Sequence, residues 1–264
     1  MSRFKLLAID VDGTLVDSSL QITPANLEAL HGAVAGGVRV VLATGRMFRS
    51  ALPYAEQIGT PEPVICYQGA VVRRPDGELL REVGLDAKSA RTCVDVSRRA
   101  HLHLNLYHDD NFYVEELGWG ARRYSEVAQV DPTVVPDLAE VASRGSTKAV
   151  FVAPHDELAA HEEVVRRATA PAARATYSMP EFLEVIDARV SKATALHFVC
   201  DRHGISREQV IAAGDGPNDL ELFEYAGLAV APSDARPEVL AAAGATVAPP
   251  GQDGIAELVR RYLT

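Results

Sequence analysis

The stretch that most constrains this chain is Leu6-Leu7-Ala8-Ile9 running without a break into Asp10-Val11-Asp12-Gly13-Thr14-Leu15. A short apolar run ended by a glycine turn reads as a buried strand that delivers two carboxylates to its carboxyl end. In open α/β sheets that end is where ligands bind. Residues two apart on a strand point to the same side, so Asp10 and Asp12 address one volume until Gly13 turns the chain away. Two carboxylates held that close repel, and must share a proton or a cation.

Three further segments supply what such a pair needs: Thr44-Gly45-Arg46 after Val38 to Ala43, Ser191-Lys192-Ala193-Thr194 ahead of a helical run, and Gly214-Asp215-Gly216-Pro217-Asn218-Asp219 after Gln209 to Ala213. Acids, a hydroxyl, cations and a second acidic loop suit magnesium-assisted phosphoryl transfer through an aspartyl-phosphate. Asp10 is the candidate nucleophile, although a lone strand-end aspartate more often caps a turn. Asp12 is placed to protonate the leaving oxygen and then to deprotonate water, a task for a carboxyl whose pKa neighbouring acids raise. Thr14 either joins them or satisfies turn backbone. Thr44 offers its hydroxyl to a phosphoryl oxygen. Arg46 leads into a helix, and a cation there opposes the dipole unless an anion lies between them; the alternative is a solvated arginine. Ser191 is a good N-cap, which puts Lys192 in a first turn where it gains most by facing carboxylates and a phosphate. Magnesium favours hard oxygens, so Asp10, Asp215 and the Asp12 carbonyl would suffice as ligands. Asn218 and Asp219 open a helix and double as ordinary caps.

The pattern predicts an α/β protein. Up to residue 83 short apolar runs alternate with helical ones, as in βαβ units. Thr23-Pro24-Ala25-Asn26-Leu27-Glu28 marks a helix start and Gly36-Gly37 its stop. A helix over 47–58, a strand over Val64 to Tyr67 and a hairpin turn at Pro75-Asp76-Gly77 follow. Over 84–188 alternating runs such as Leu102 to Tyr107 predict antiparallel strands with one solvated face, the other covered by helices near 86–100, 118–129 and 155–169. From 189 the βαβ alternation resumes, with strands near 209–213 and 228–231 and a last helix near 254–262. The expectation is a Rossmann-like doubly wound parallel sheet from 1–83 and 189–264, with 84–188 inserted as an α+β cap.

A formal net charge of -10 argues against a nucleic-acid backbone or an anionic membrane as main partner. A small anionic metabolite stays open, because local cations and a metal override the global field. Cys66, Cys93 and Cys200 lack paired metal-site spacing and read as reduced thiols. No stretch approaches the roughly 20 apolar residues of a membrane span, and the expected setting is the cytoplasm, as a monomer or homodimer.

Asp10 to Leu15, Thr44-Gly45-Arg46, Ser191-Lys192 and Gly214 to Asp219 resemble the four ordered motifs of the haloacid dehalogenase superfamily. The long insertion, with Gln68-Gly69-Ala70 before it, is similar to that of the Cof-type phosphatases with a large α+β cap. The resemblance implies that Asp10 is phosphorylated, Asp12 is the acid/base, and Thr44 and Lys192 partner phosphate and nucleophile. It implies Mg2+ held by Asp10, Asp12 and Asp215 with Asp219 and Asn218 in support, and Gly45, Arg46 and Asn218 on the phosphate side. Two departures stand out: the family often has asparagine where Gln68 stands, and Met-Gly-Asn-Ala where this chain has Pro232-Ser233-Asp234-Ala235. The implied activity is a phosphatase of small phosphorylated metabolites such as sugar phosphates. A phosphosugar mutase shares the motifs and a non-enzymatic phosphoacceptor shares the residue types. Substrate choice is expected in the insertion, with Tyr107, His108, Tyr113, Trp119, Arg122 and Arg123 as candidates that also have ordinary fold-supporting roles.

Overall fold

The computed structural model describes residues 3–264. The first part of the chain runs β1 (Leu6–Ile9), α1 (Pro24–Ala35), β2 (Arg39–Leu42), α2 (Phe48–Ile58), β3 (Val64–Cys66), β4 (Val71–Arg73) and β5 (Leu79–Glu82). The middle holds α3 (Ala87–Ala100), β6 (His103–His108), β7 (Asn111–Val114), α4 (Trp119–Ala128), β8 (Thr133–Val134), α5 (Leu138–Ala142), β9 (Ala149–Val152), α6 (His155–Thr169), β10 (Ala173–Met179) and β11 (Phe182–Asp187). The last part is α7 (Lys192–His203), β12 (Val210–Ala213), α8 (Leu220–Tyr225), β13 (Leu228–Pro232), α9 (Pro237–Ala242), β14 (Ala245–Val247) and α10 (Gly254–Tyr262). Two compact units result. One takes the chain up to Gly45, Ala51–Leu80 and Ser191–Thr264; the other takes Arg46–Ser50 and Arg81–Val190.

In the first unit five strands form a sheet in the order β14-β13-β12-β1-β2, every neighbouring pair parallel. From β1 the chain moves outward to β2, and from β12 outward to β13 and β14 on the other side. The switch point of the sheet therefore lies between β1 and β12, and a crevice at their carboxyl ends is where such folds bind ligands. Leu6, Ala8, Val41, Val210 and Ala212 pack with Leu196 and Val199 of α7, Leu222 of α8 and Val239 of α9. By the strand's two-residue period Leu7, Ile9, Val40 and Leu42 point to the opposite face, where they too are fully buried. Burial on both faces explains why β1 and β2 are uninterrupted apolar runs.

The helix ends follow local chemistry. Thr23 Oγ1 accepts from the Asn26 backbone N–H, Pro24 takes the first helical position and Gly36 closes α1. Asn26, expected only as part of that start, is fully buried. Its Nδ2 donates to the Pro250 carbonyl at 3.1 Å and its Oδ1 accepts from Ala256 N–H at 2.8 Å, which ties α1 to the start of α10.

In the second unit six strands run β10-β11-β9-β6-β7-β8. Leu104, Leu106, Phe151 and Leu183 share a core with α3, α5 and α6. The sequence expectation of three helices on one face and solvent on the other is corrected here. Tyr124 of α4 touches the rings of Tyr107, Phe112 and Phe182, which alternate with the core residues, so α4 lies on the opposite face. That face buries polar groups among the rings: Lys148 Nζ sits 2.8 Å from Glu184 Oε2 and over the Tyr107 ring, and Asn105 is 0% exposed. Mutual pairing lets these groups leave water. Among the described residues no helix is long and apolar enough to cross a membrane. All three cysteines are buried thiols, none of them in a disulfide.

Candidate active site

Asp10 leaves β1 with its backbone N–H still bonded to the Ala213 carbonyl at 2.9 Å, which holds the carboxyl ends of β1 and β12 side by side. Two residues beyond β12 stands Asp215. Gly13 lets the two loops meet: its φ is +75°, and a Cβ there would lie 2.3 Å from Asp215 Oδ2. Thr14, carried round by that turn, donates from Oγ1 to Asp215 Oδ1 at 3.1 Å.

Lys192 reaches the same place from α7. Ser191 and Thr194 form a reciprocal capping box, with Ser191 Oγ accepting from Thr194 N–H at 3.1 Å and Thr194 Oγ1 from Ser191 N–H at 3.0 Å. A cation in the next position opposes the helix dipole. It is compensated by two carboxylates, with Nζ 2.9 Å from Asp10 Oδ1 and 2.7 Å from Asp219 Oδ1. The second oxygen of Asp219 accepts from the backbone N–H groups of Asp215 at 3.2 Å and Gly216 at 3.1 Å, so this aspartate shapes the loop that presents Asp215.

Charge at the site is out of balance. Asp10, Asp215 and Asp219 offer oxygens that all lie within 4.8 Å of one another, and Lys192 is bonded to two of them. Burial first, and Asp219 next, push the Asp10 carboxyl well above the usual range even though Lys192 pulls it down. Burial and Asp219 likewise push Asp215 up to about 7, against the pull of Lys192 and the Thr14 bond. Burial works to discharge Lys192, and the charges of Asp10 and Asp219 more than reverse this, leaving it more firmly protonated than a free lysine. Ionised together, the three carboxylates would exceed the one ammonium bonded to them by two negative charges. Hard oxygen donors with that surplus fit a divalent cation of the magnesium type.

The other residues expected from the sequence fall into two groups. Thr44 is buried at the end of β2, its N–H on the Ile65 carbonyl at 2.8 Å and its C=O taken by Gln68 N–H at 3.0 Å. Gly45 follows it, and half-buried Asp12 faces Val16 across the turn. Asn218 Nδ2 donates to Gln68 Oε1 at 3.1 Å. Arg46, in contrast, groups with the second unit: its guanidinium donates to Ser50 Oγ at 3.1 Å, and its charge acts on the Tyr124 hydroxyl. The anion that its helix start called for is a side chain. Asp110 accepts from the Phe48 N–H at 3.0 Å and the Arg49 N–H at 3.1 Å, occupying the amino terminus of α2. Ser50 in turn bonds the Ala128 carbonyl, which is why 46–50 part from the flanking chain.

Of the candidates in the insertion, Tyr107 is fully buried among rings, Arg123 bonds Glu181 at 2.8 Å and Arg122 bonds the Leu117 carbonyl at 2.5 Å. His108 stands beside Asp109, Tyr113 packs on the core and Trp119 is 51% exposed. The roles of Thr14 and Gln68 were not legible as contacts. Their only signals were a hydroxyl directly after the Gly13 turn and a polar residue closing an apolar strand.

Residues 7–259 match the profile of a family described as haloacid dehalogenase-like hydrolase. The chain is 28% identical over 283 residues to 5-amino-6-(5-phospho-D-ribitylamino)uracil phosphatase YitU of Bacillus subtilis (strain 168), covering 98% of this chain and 97% of that one. It is 26% identical over 268 residues to pyridoxal phosphate phosphatase YbhA of Escherichia coli (strain K12), covering 98% of each. A solved haloacid dehalogenase-like hydrolase from Bacteroides thetaiotaomicron is similar with a TM-score of 0.89 at 27% identity, over 98% of this chain and 99% of that one. A profile match over nearly the whole chain, with the motif residues Asp10, Lys192, Asp215 and Asp219 gathered at one sheet end, means that this chain belongs to the haloacid dehalogenase-like hydrolase family.

Proposed function

We propose that this chain is a magnesium-dependent phosphatase of small phosphorylated metabolites, working through a phosphorylated Asp10. The observation that carries the proposal is the ammonium of Lys192 bridging Asp10 and Asp219 beside Asp215, a nucleophile held ready in a site with negative charge to spare. Asp10 and Asp215 would hold the ion with the Asp12 carbonyl, while Asp219 keeps the loop in shape. Bound Mg2+ supplies charge neutralisation and polarises a phosphoryl oxygen.

The protein's own groups do the rest. Lys192 lowers the cost of ionising Asp10, and a bound cation would complete that ionisation, so that a carboxylate oxygen attacks phosphorus as the bond from phosphorus to the leaving oxygen breaks. Asp12 gives that oxygen its proton, and the alcohol departs. Water then attacks the phosphorus of the acyl phosphate, Asp12 takes the proton back, and Asp10 leaves as carboxylate with release of orthophosphate. Lys192 and the Thr44 hydroxyl offset charge on the phosphoryl oxygens. The inserted unit is assigned the choice of substrate. Relatives named for the phosphates of pyridoxal and of a ribitylaminouracil support phosphorylated small molecules as the substrate class.

The test is release of orthophosphate from p-nitrophenyl phosphate, with and without Mg2+, by the native protein and by Asp10→Asn. Turnover that needs the metal and vanishes in the variant is expected. Undiminished turnover by Asp10→Asn would remove the nucleophile from the mechanism, and an isomerised sugar phosphate without free phosphate would mark a mutase.

A further inference from the structure

Gln68 is a buried amide with its acceptor oxygen in use and its donor nitrogen idle. It is 2% exposed, its Oε1 accepts from Asn218 Nδ2 at 3.1 Å, and its Nε2 has no partner among the described residues. A buried amide nitrogen without an acceptor is costly, and native interiors rarely keep one without use for it.

The backbone around it is forced into place. Tyr67 and Gln68 both have positive φ, +53° and +59°, in a region that non-glycine residues seldom occupy. The next residue, Gly69, has φ +99°, and a Cβ there would lie 2.1 Å from the Ser191 carbonyl oxygen and 3.0 Å from the Lys192 nitrogen. Only glycine lets this turn press against the start of α7. Gln68 N–H meanwhile bonds the Thr44 carbonyl at 3.0 Å. The amide is thus pinned by Thr44 from β2, by the helix start that carries Lys192, and by Asn218 from the acidic loop. Strain kept at such a junction points to use.

From this we infer that the side-chain Nε2 of Gln68 donates a hydrogen bond to an oxygen of the phosphoryl group of the bound substrate, with Asn218 fixing the orientation of the amide. The inference rests on the phosphatase proposed above. The phosphoryl group is the chosen acceptor because the amide is almost wholly buried and bonded to Asn218 of the acidic loop, and because a dianion is the strongest acceptor such a donor can meet. No proton is transferred in this contact.

The experiment uses the full chain and two probes, turnover of p-nitrophenyl phosphate and competitive inhibition by orthophosphate. Gln68→Met keeps the length of the side chain and removes the donor. It is expected to raise both the inhibition constant for orthophosphate and the KM by about 10- to 100-fold, the usual cost of one bond to a charged group. The ligand-free melting temperature should stay close to the native value, because removal of the orphaned nitrogen offsets the lost acceptor for Asn218. Gln68→Glu keeps an acceptor for Asn218 and should lose orthophosphate as fully. Inhibition constants within about twofold of the native value in both variants would overturn the inference. Wild-type turnover that still depends on Asp10 would at the same time leave the phosphatase proposal standing, so the two failures are separable.

Discussion

Lowering the pH from 8 to 6 is expected to weaken Mg2+ binding about tenfold. The cause is Asp215, whose carboxyl is pushed up to about 7 by burial and by Asp219. Such a group is about nine-tenths ionised at pH 8 and about one-tenth at pH 6, so at the lower pH the ion must displace a proton. A ninefold change in the ionised fraction is roughly 1.3 kcal/mol of apparent binding free energy. Asp10, raised by burial and by the same neighbour, adds to the effect in the same direction. The sign for folding is opposite. Between the ordinary value of 3.8 and about 7 the folded chain holds this proton more tightly than the unfolded chain. The contribution of Asp215 to the stability of the metal-free protein therefore improves as pH falls through 7. Titration calorimetry from pH 6 to 8, in buffers of differing ionisation enthalpy, reads both the affinity and the proton released. As a control, metal-free Asp215→Asn should melt above the native protein at pH 8, with the gap closing towards pH 6. An affinity constant to within twofold across the range, with no proton released, would refute the charge argument.

Other perturbations separate the parts of the structure. Thr14→Val removes the donor to Asp215 Oδ1 and should move the midpoint of this pH dependence upward, which the same titration detects. Lys148→Met strands Glu184, itself 2% exposed, and should cost about 3–5 kcal/mol in denaturant melts, with much of the loss recovered when Glu184→Leu is added. Asp110→Ala uncovers two N–H groups at the start of α2 and should cost about 1–2 kcal/mol in the same assay. If it leaves stability unchanged, the helix start does not depend on that carboxylate.

Much of the first unit was legible because its signals are local. Thr23 and Ser191 act on N–H groups three residues away, and β1 and β2 need only be apolar to read as strands. Local pattern was weaker elsewhere. β10 reads Ala-Arg-Ala-Thr-Tyr-Ser-Met, with alanine as its inward residue, so its alternation is faint. The short elements α5, α9 and β14 span five, six and three residues, too few to establish a period. α4 carries an amphipathic pattern, but a pattern does not say which side of a sheet receives it.

The amino acids by themselves determined which groups are available: two carboxylates after one strand, an acidic loop after another, and a lysine behind a capping serine. Those depend on covalent order and on turns a few residues long. The folded chain alone decided their pairings. Thr14 and Asp215 are 201 positions apart, and Gln68 and Asn218 are 150 apart. The same holds for Arg46, whose helix found its anion 62 positions away in Asp110. Contacts at such separations are set by strand order and by which surfaces leave water together, and no short window of residues contains that information.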